Sequence, residues 1–124
     1  MPASVVIVHD HPEFRAESTA VLRKAGHEVT TFPDSTAALE AIDDTREFHV
    51  LVTRVSFPRG CPNGVALART LRAKRPGLKI IFAARAKRGP YTAGLGELLP
   101  HPVDLTRLVT MVARFAAEAR RQSR

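Results

Sequence analysis

The chain carries a His-Asp-His triplet at His9, Asp10 and His11, and a further histidine at His101. Imidazoles with a carboxylate are zinc ligands, so a metal site is the first chemistry these residues raise. A histidine can also accept a phosphoryl group, but that chemistry needs a base or an orienting partner, and none is evident. The segment from Arg85 to Tyr91 contains Arg85, Lys87 and Arg88 beside the aromatic ring. Three cations in four residues suit an acidic protein surface or a phosphate backbone; a flexible basic loop is the plainer reading. Cys61 is the single cysteine, so no internal disulfide forms. It lies in a proline-flanked loop without a redox motif and is read as incidental. No nucleophile stands beside a defensible base, and an enzyme is not expected.

Charge is unevenly distributed. Residues 1–50 carry four Lys/Arg against nine Asp/Glu, and residues 51–124 carry fifteen against three, within a net charge of +7. The two halves predict an acidic and a basic side, the basic one attractive to acidic partners. Arg69, Arg72, Lys74 and Arg75, with the 85–88 segment, form a candidate nucleic-acid patch. No helix-turn-helix or zinc module accompanies it, so this is the second choice behind a protein partner. An apolar content of 44% at 124 residues fits one soluble domain with its core over about 4–117 and a basic tail at 118–124. No apolar run reaches the roughly 18 residues of a membrane span, and no targeting segment precedes the first apolar run. A cytoplasmic address is expected.

The elements that must position these residues alternate between short apolar runs and amphipathic stretches, the pattern of an α/β domain with a parallel sheet. Val5 to Val8 is a continuous β-branched run, as a strand covered on both faces requires. Further strands are expected at Val29 to Phe32, Val50 to Val52, Ile80 to Ala83, and Leu98 to Leu99. Helices are expected from Pro12 to a stop at Gly26, after Asp34, from Val65 to before Pro76, and after the cap Asp104. Five strands so connected form a doubly wound sheet, for which the order 2-1-3-4-5 is a common solution.

Taken in order, the strand ends resemble the response-regulator receiver family over nearly the whole chain. The stretches are VVIVHDHPEFR at residues 5–15, VLVTRVSFPRGCPNG at 50–64, KIIFAAR at 79–85 and GLGELLPHPVD at 94–104. The resemblance implies a flavodoxin-like, CheY-like fold and a role in two-component phosphorelay signalling in a bacterial cytoplasm. It also exposes departures. The family's acidic pair falls on His9 and Asp10. Its phosphoacceptor aspartate falls on Arg54, four residues before Pro58; its switch hydroxyl on Ala84; and its lysine on His101, before Pro102. The family's reporting aromatic falls on Leu98. A cis peptide is expected at Pro102.

Aspartyl phosphorylation needs a carboxylate nucleophile, hard oxygen ligands for Mg²⁺ and groups that neutralise the phosphoryl oxygens. An arginine stays protonated and is no nucleophile, and one carboxylate beside it is a poor magnesium site. The chain is therefore expected to be a pseudo-receiver with weak or absent Mg²⁺ binding, no cofactor and no metal. Asp10 and Arg54 are expected to form an internal salt bridge. The stretch from Ala84 to His101 is too short for the family's full fourth helix, and Gly89-Pro90 should break any helix there. The partner surface is placed at Arg85, Lys87, Arg88, Tyr91 and Leu98. The expected partner is a histidine kinase, another response regulator or an output target.

Overall fold

A computed structural model describes residues 3–43, 45–57 and 60–122. Five parallel strands alternate with helices: β1 (Ser4–Val8), α1 (Pro12–Lys24), β2 (Glu28–Phe32), α2 (Ser35–Ala41), β3 (Val50–Thr53), α3 (Gly64–Lys74), β4 (Lys79–Ala84), α4 (Gly89–Thr92), β5 (Glu97–Pro100) and α5 (Leu105–Gln122). The sheet order is β2-β1-β3-β4-β5. The chain leaves β1 toward one edge and returns to place β3 on its other side. That reversal opens a crevice at the strands' C-terminal ends.

Alternation along each strand divides the core between two faces. Val5, Ile7, Val50, Val52, Ile81 and Ala83 face α1 and α5, where Leu22, Leu108, Val112 and Phe115 close over them. Val6, Val8, Leu51, Ile80 and Phe82 face the opposite layer and meet Ala38, Leu67 and Leu71 of α2 and α3. Each fully buried Leu, Ile or Phe contributes about 1.5–3 kcal/mol. This double cover explains why the central strands read as unbroken apolar runs.

Local signals set the element ends. Gly26, at φ 96°, follows α1 and turns the chain toward β2. Asp34 Oδ1 accepts the Ala37 N–H at 2.8 Å, and Asn63 Oδ1 accepts that of Ala66 at 2.8 Å, capping α2 and α3. Asp104 Oδ1 caps α5 by accepting from Thr106 N at 2.9 Å.

Gly89 and Pro90 do not end a helix as the sequence suggested; they begin one. A 3-10 turn at Ala86–Arg88 runs into the single turn of α4, with Pro90 in its first turn, where a missing N–H costs nothing. The shortening itself is as expected. The expected tail at 118–124 is helical through Gln122, and its last two residues lie outside the described ones.

Candidate functional site at the strand ends

Strand register brings the expected residues together. Val8 lies opposite both Phe32 and Thr53, so His9-Asp10 leaves β1 beside the point where Arg54 leaves β3. Ala84 pairs with Pro100, which sets His101 at the same edge of the sheet. Pro58, which marks the position of Arg54 in the sequence pattern, lies outside the described residues.

Arg54 Nη1 donates to Asp10 Oδ1 at 2.7 Å, with both side chains about one-third exposed. Burial pushes the Asp10 carboxyl up, but the hydrogen bond and charge of Arg54 outweigh it and hold the group below its ordinary value. The Arg54 carbonyl accepts from Thr53 Oγ1 at 3.1 Å, and Gly64 packs directly against that carbonyl. Gly64 N also donates to Val55 O at 2.8 Å, so the strand-to-loop bend is held from α3.

His9 is buried, with 1% of its surface exposed. Its Nδ1 accepts the His11 N–H at 3.1 Å, which leaves the proton of the neutral ring on Nε2. That Nε2 has no hydrogen-bond partner among the described residues. Burial, reinforced by Arg54, pushes the His9 pKa down to about 3, so the ring is uncharged at neutral pH. Its 3.9 Å approach to Asp10 is therefore not an ion pair. The ring packs on Phe14 at 4.3 Å and on His101 at 6.1 Å between centroids. Arg15 Nη1 donates to the His9 carbonyl at 2.6 Å, a support from α1 that spacing alone did not reveal. His101 is exposed; its Nε2 donates to Ala83 O at 3.2 Å, and the His101–Pro102 peptide is cis.

Among the described residues no three His, Cys, Asp or Glu side chains are arranged to hold an ion. A cavity of about 500 Å³ opens at the strand ends instead, walled by His9, Arg54, Ser56, Ala84, Arg85 and Arg88. Arg85 and Arg88, assigned from the sequence to a partner surface, line this cavity. Lys87 is exposed, Leu98 is half-buried against the α2–α3 face, and Tyr91 is 61% exposed, with Arg88 lying 5.9 Å from its ring centroid.

The basic patch read from the sequence is partly dismantled by packing. Arg75 is buried, stacks on Phe48 at 4.9 Å and donates to the carbonyls of Arg46 and Asp43 at 2.9 and 2.8 Å. Arg72 Nη2 donates to Leu78 O and Leu95 O, both at 2.8 Å. These two guanidiniums tie loops together and are not presented to a nucleic acid. Cys61 is half-buried, with a free thiol.

A parallel sheet in this order with its site at the C-terminal crest defines a flavodoxin-like receiver fold. The chain belongs to the response regulator receiver domain family of two-component signalling, which matches residues 5–113. The DNA-binding transcriptional regulator NtrC of Azospirillum brasilense is 30% identical over 90% of this chain and 24% of that protein. The chain thus spans about a quarter of the length of that relative. NtrX from Brucella abortus superposes with a TM-score of 0.86 at 21% identity, over 99% of this chain and 29% of that one. Chemotaxis response regulator CheY4 of Vibrio cholerae superposes at 0.76 with 22% identity, over 93% of this chain and 99% of that one.

The Mg²⁺ ion implied by the receiver family does not fit these residues. The Asp10 carboxylate is engaged by a guanidinium at 2.7 Å, and its neighbour His9 offers a buried ring in place of a second carboxylate. A cation there would gain a single side-chain carboxylate as hard ligand and would lie beside the Arg54 guanidinium, which repels it.

Proposed function

We propose that this chain is a degenerate receiver, one signalling unit over residues 1–124, that takes no phosphoryl group on aspartate. It acts by binding a protein partner irrespective of phosphorylation. The observation that carries this reading is the Arg54–Asp10 ion pair at the ends of β3 and β1. A fixed guanidinium replaces the nucleophile, and its charge repels the metal that phosphoryl transfer to aspartate needs. Ala84 offers no hydroxyl to hold a phosphoryl oxygen. The internal pair holds the surrounding loops in one arrangement, so the surface a partner meets does not wait for a chemical signal.

The partner is a histidine kinase, another response regulator or an output protein, as expected of a chain in this family. Arg72 and Arg75 are engaged inside the fold, which weakens the nucleic-acid alternative. The relative whose name includes DNA binding is about four times as long as this chain. Affinity capture of the purified domain from its source lysate, with and without nuclease and with and without a phosphodonor, tests the reading. Retention of a two-component protein under all four conditions is expected. Loss of every captured protein after nuclease treatment would contradict it.

A further inference from the structure

The cavity at the strand ends is basic. Arg54, Arg85 and Arg88 enter its lining, and among the described residues the one carboxylate in contact with any of the three is Asp10, against Arg54. Arg54 gives one N–H to Asp10, and a guanidinium carries five. Its other N–H groups have no partner among the described residues, and neither Arg85 nor Arg88 has an acidic partner there. Ser56 adds a hydroxyl to the same wall.

Two sequence features create the space. Ala84 ends β4 with a methyl group, and the 3-10 turn with one-turn α4 replaces a long helix that would start at this rim. Arg85, just before this turn, and Arg88, at its end, line the same cavity as Arg54. At about 500 Å³ the cavity falls in the range of small-molecule sites, larger than a bare phosphate requires. Guanidiniums that line one recess are suited to phosphate oxygens, which they can meet with paired N–H groups.

We propose that this cavity is a non-covalent, metal-independent binding site for the phosphate group of a small molecule, gripped by Arg54, Arg85 and Arg88. The inference rests on the reading that no aspartyl phosphate forms here. A free ligand would then take the place of the covalent modification, with Arg54 shared between Asp10 and the bound phosphate. Ligand binding would be read out where Arg88 meets Tyr91, on the exposed rim.

The test is a titration of the isotopically labelled chain at constant ionic strength with a chelator present. Inorganic phosphate, a nucleoside diphosphate and the unphosphorylated nucleoside are added separately. Saturable amide shifts confined to Ser56, Ala84, Arg85 and Arg88 are expected with phosphate, the diphosphate or both, and the two arms distinguish a free anion from a phosphorylated metabolite. The double substitution R85A/R88A should weaken binding about tenfold or more, since it removes charge-assisted hydrogen bonds, whereas K87A on the same turn should not. Equal binding of the nucleoside, shifts spread over all basic surfaces without saturation, or equal loss in K87A would each overturn the proposal. A phosphoryl gain from a small phosphodonor would instead overturn the reading beneath it. No phosphoryl gain together with no anion binding would remove this inference alone.

Discussion

Removing the Arg54–Asp10 contact should weaken the fold by a modest amount that depends on pH. The bond is short, at 2.7 Å, and charge-assisted, yet each side chain is about one-third exposed. A buried charged hydrogen bond contributes about 1.5–3 kcal/mol, and a fully exposed pair about 0–1 kcal/mol. One bond in a half-wet setting falls between, at about 1 kcal/mol. For a chain of 124 residues that corresponds to roughly 4 °C in melting temperature. The double-mutant cycle of Arg54→Met and Asp10→Asn isolates the pair from the other losses. Asp10 titrates below its ordinary value in the folded state, so the pair stabilises above the unfolded pKa of about 4. That contribution fades as pH falls through the depressed folded value. Urea unfolding of the four variants at pH 7 and pH 3 should give a coupling of about 1 kcal/mol that shrinks in acid. A coupling indistinguishable from zero at pH 7, or one equally large at both pH values, would refute the ion-pair account.

Other perturbations follow from neighbouring contacts. Burial keeps His9 neutral down to about pH 3, so the folded state resists protonation that the unfolded chain accepts near pH 6.5. Stability should fall by about 2 kcal/mol between pH 7 and pH 5 on this account, and His9→Gln should flatten that slope, whereas an unchanged slope would contradict it. Proton NMR of the His9 ring should show its pKa rising in Arg54→Ala, because the guanidinium is one of the groups that depress it. Arg75→Ala should cost about 2–4 kcal/mol in chemical unfolding, as it strands two carbonyl acceptors and uncovers Phe48; a loss under about 0.5 kcal/mol would show Arg75 to be a surface charge. Gly64→Ala should destabilise by about 2 kcal/mol or more, since the new methyl group meets the Arg54 carbonyl and the backbone must move.

The fold was legible because its central strands are buried on both sides. Only continuous apolar runs such as Val5–Val8 and Val50–Val52 satisfy that demand, and each is bounded by turn chemistry. The positions of His9, Asp10, Arg54, Ala84 and His101 were legible for a related reason: strand ends in such a sheet converge on one crest. Arginine roles were not. Arg72 and Arg75 look like surface cations in a count of charges, and it is the return of the chain at Asp43, Arg46, Leu78 and Leu95 that supplies the carbonyls that engage them. The sequence places Arg85 and Arg88 on a partner surface and gives no sign of the cavity they line, because the local 3-10 turn has no strong composition signal. Gly89-Pro90 reads as a breaker in the sequence, yet proline's meaning depends on its place in the helix, and the first turn tolerates it.

In the function proposed above, Arg54, paired to Asp10, closes this pocket to aspartyl phosphorylation. Incubation of the chain with Mg²⁺ and acetyl phosphate, followed by intact mass measurement under conditions that preserve acyl phosphates, tests it most directly. A receiver with an intact site belongs beside it as the positive control. An unchanged mass for this chain, with a phosphoryl gain on the control, is the result predicted. A gain of one phosphoryl group that maps to Asp10 or to another carboxylate at the strand ends would contradict it.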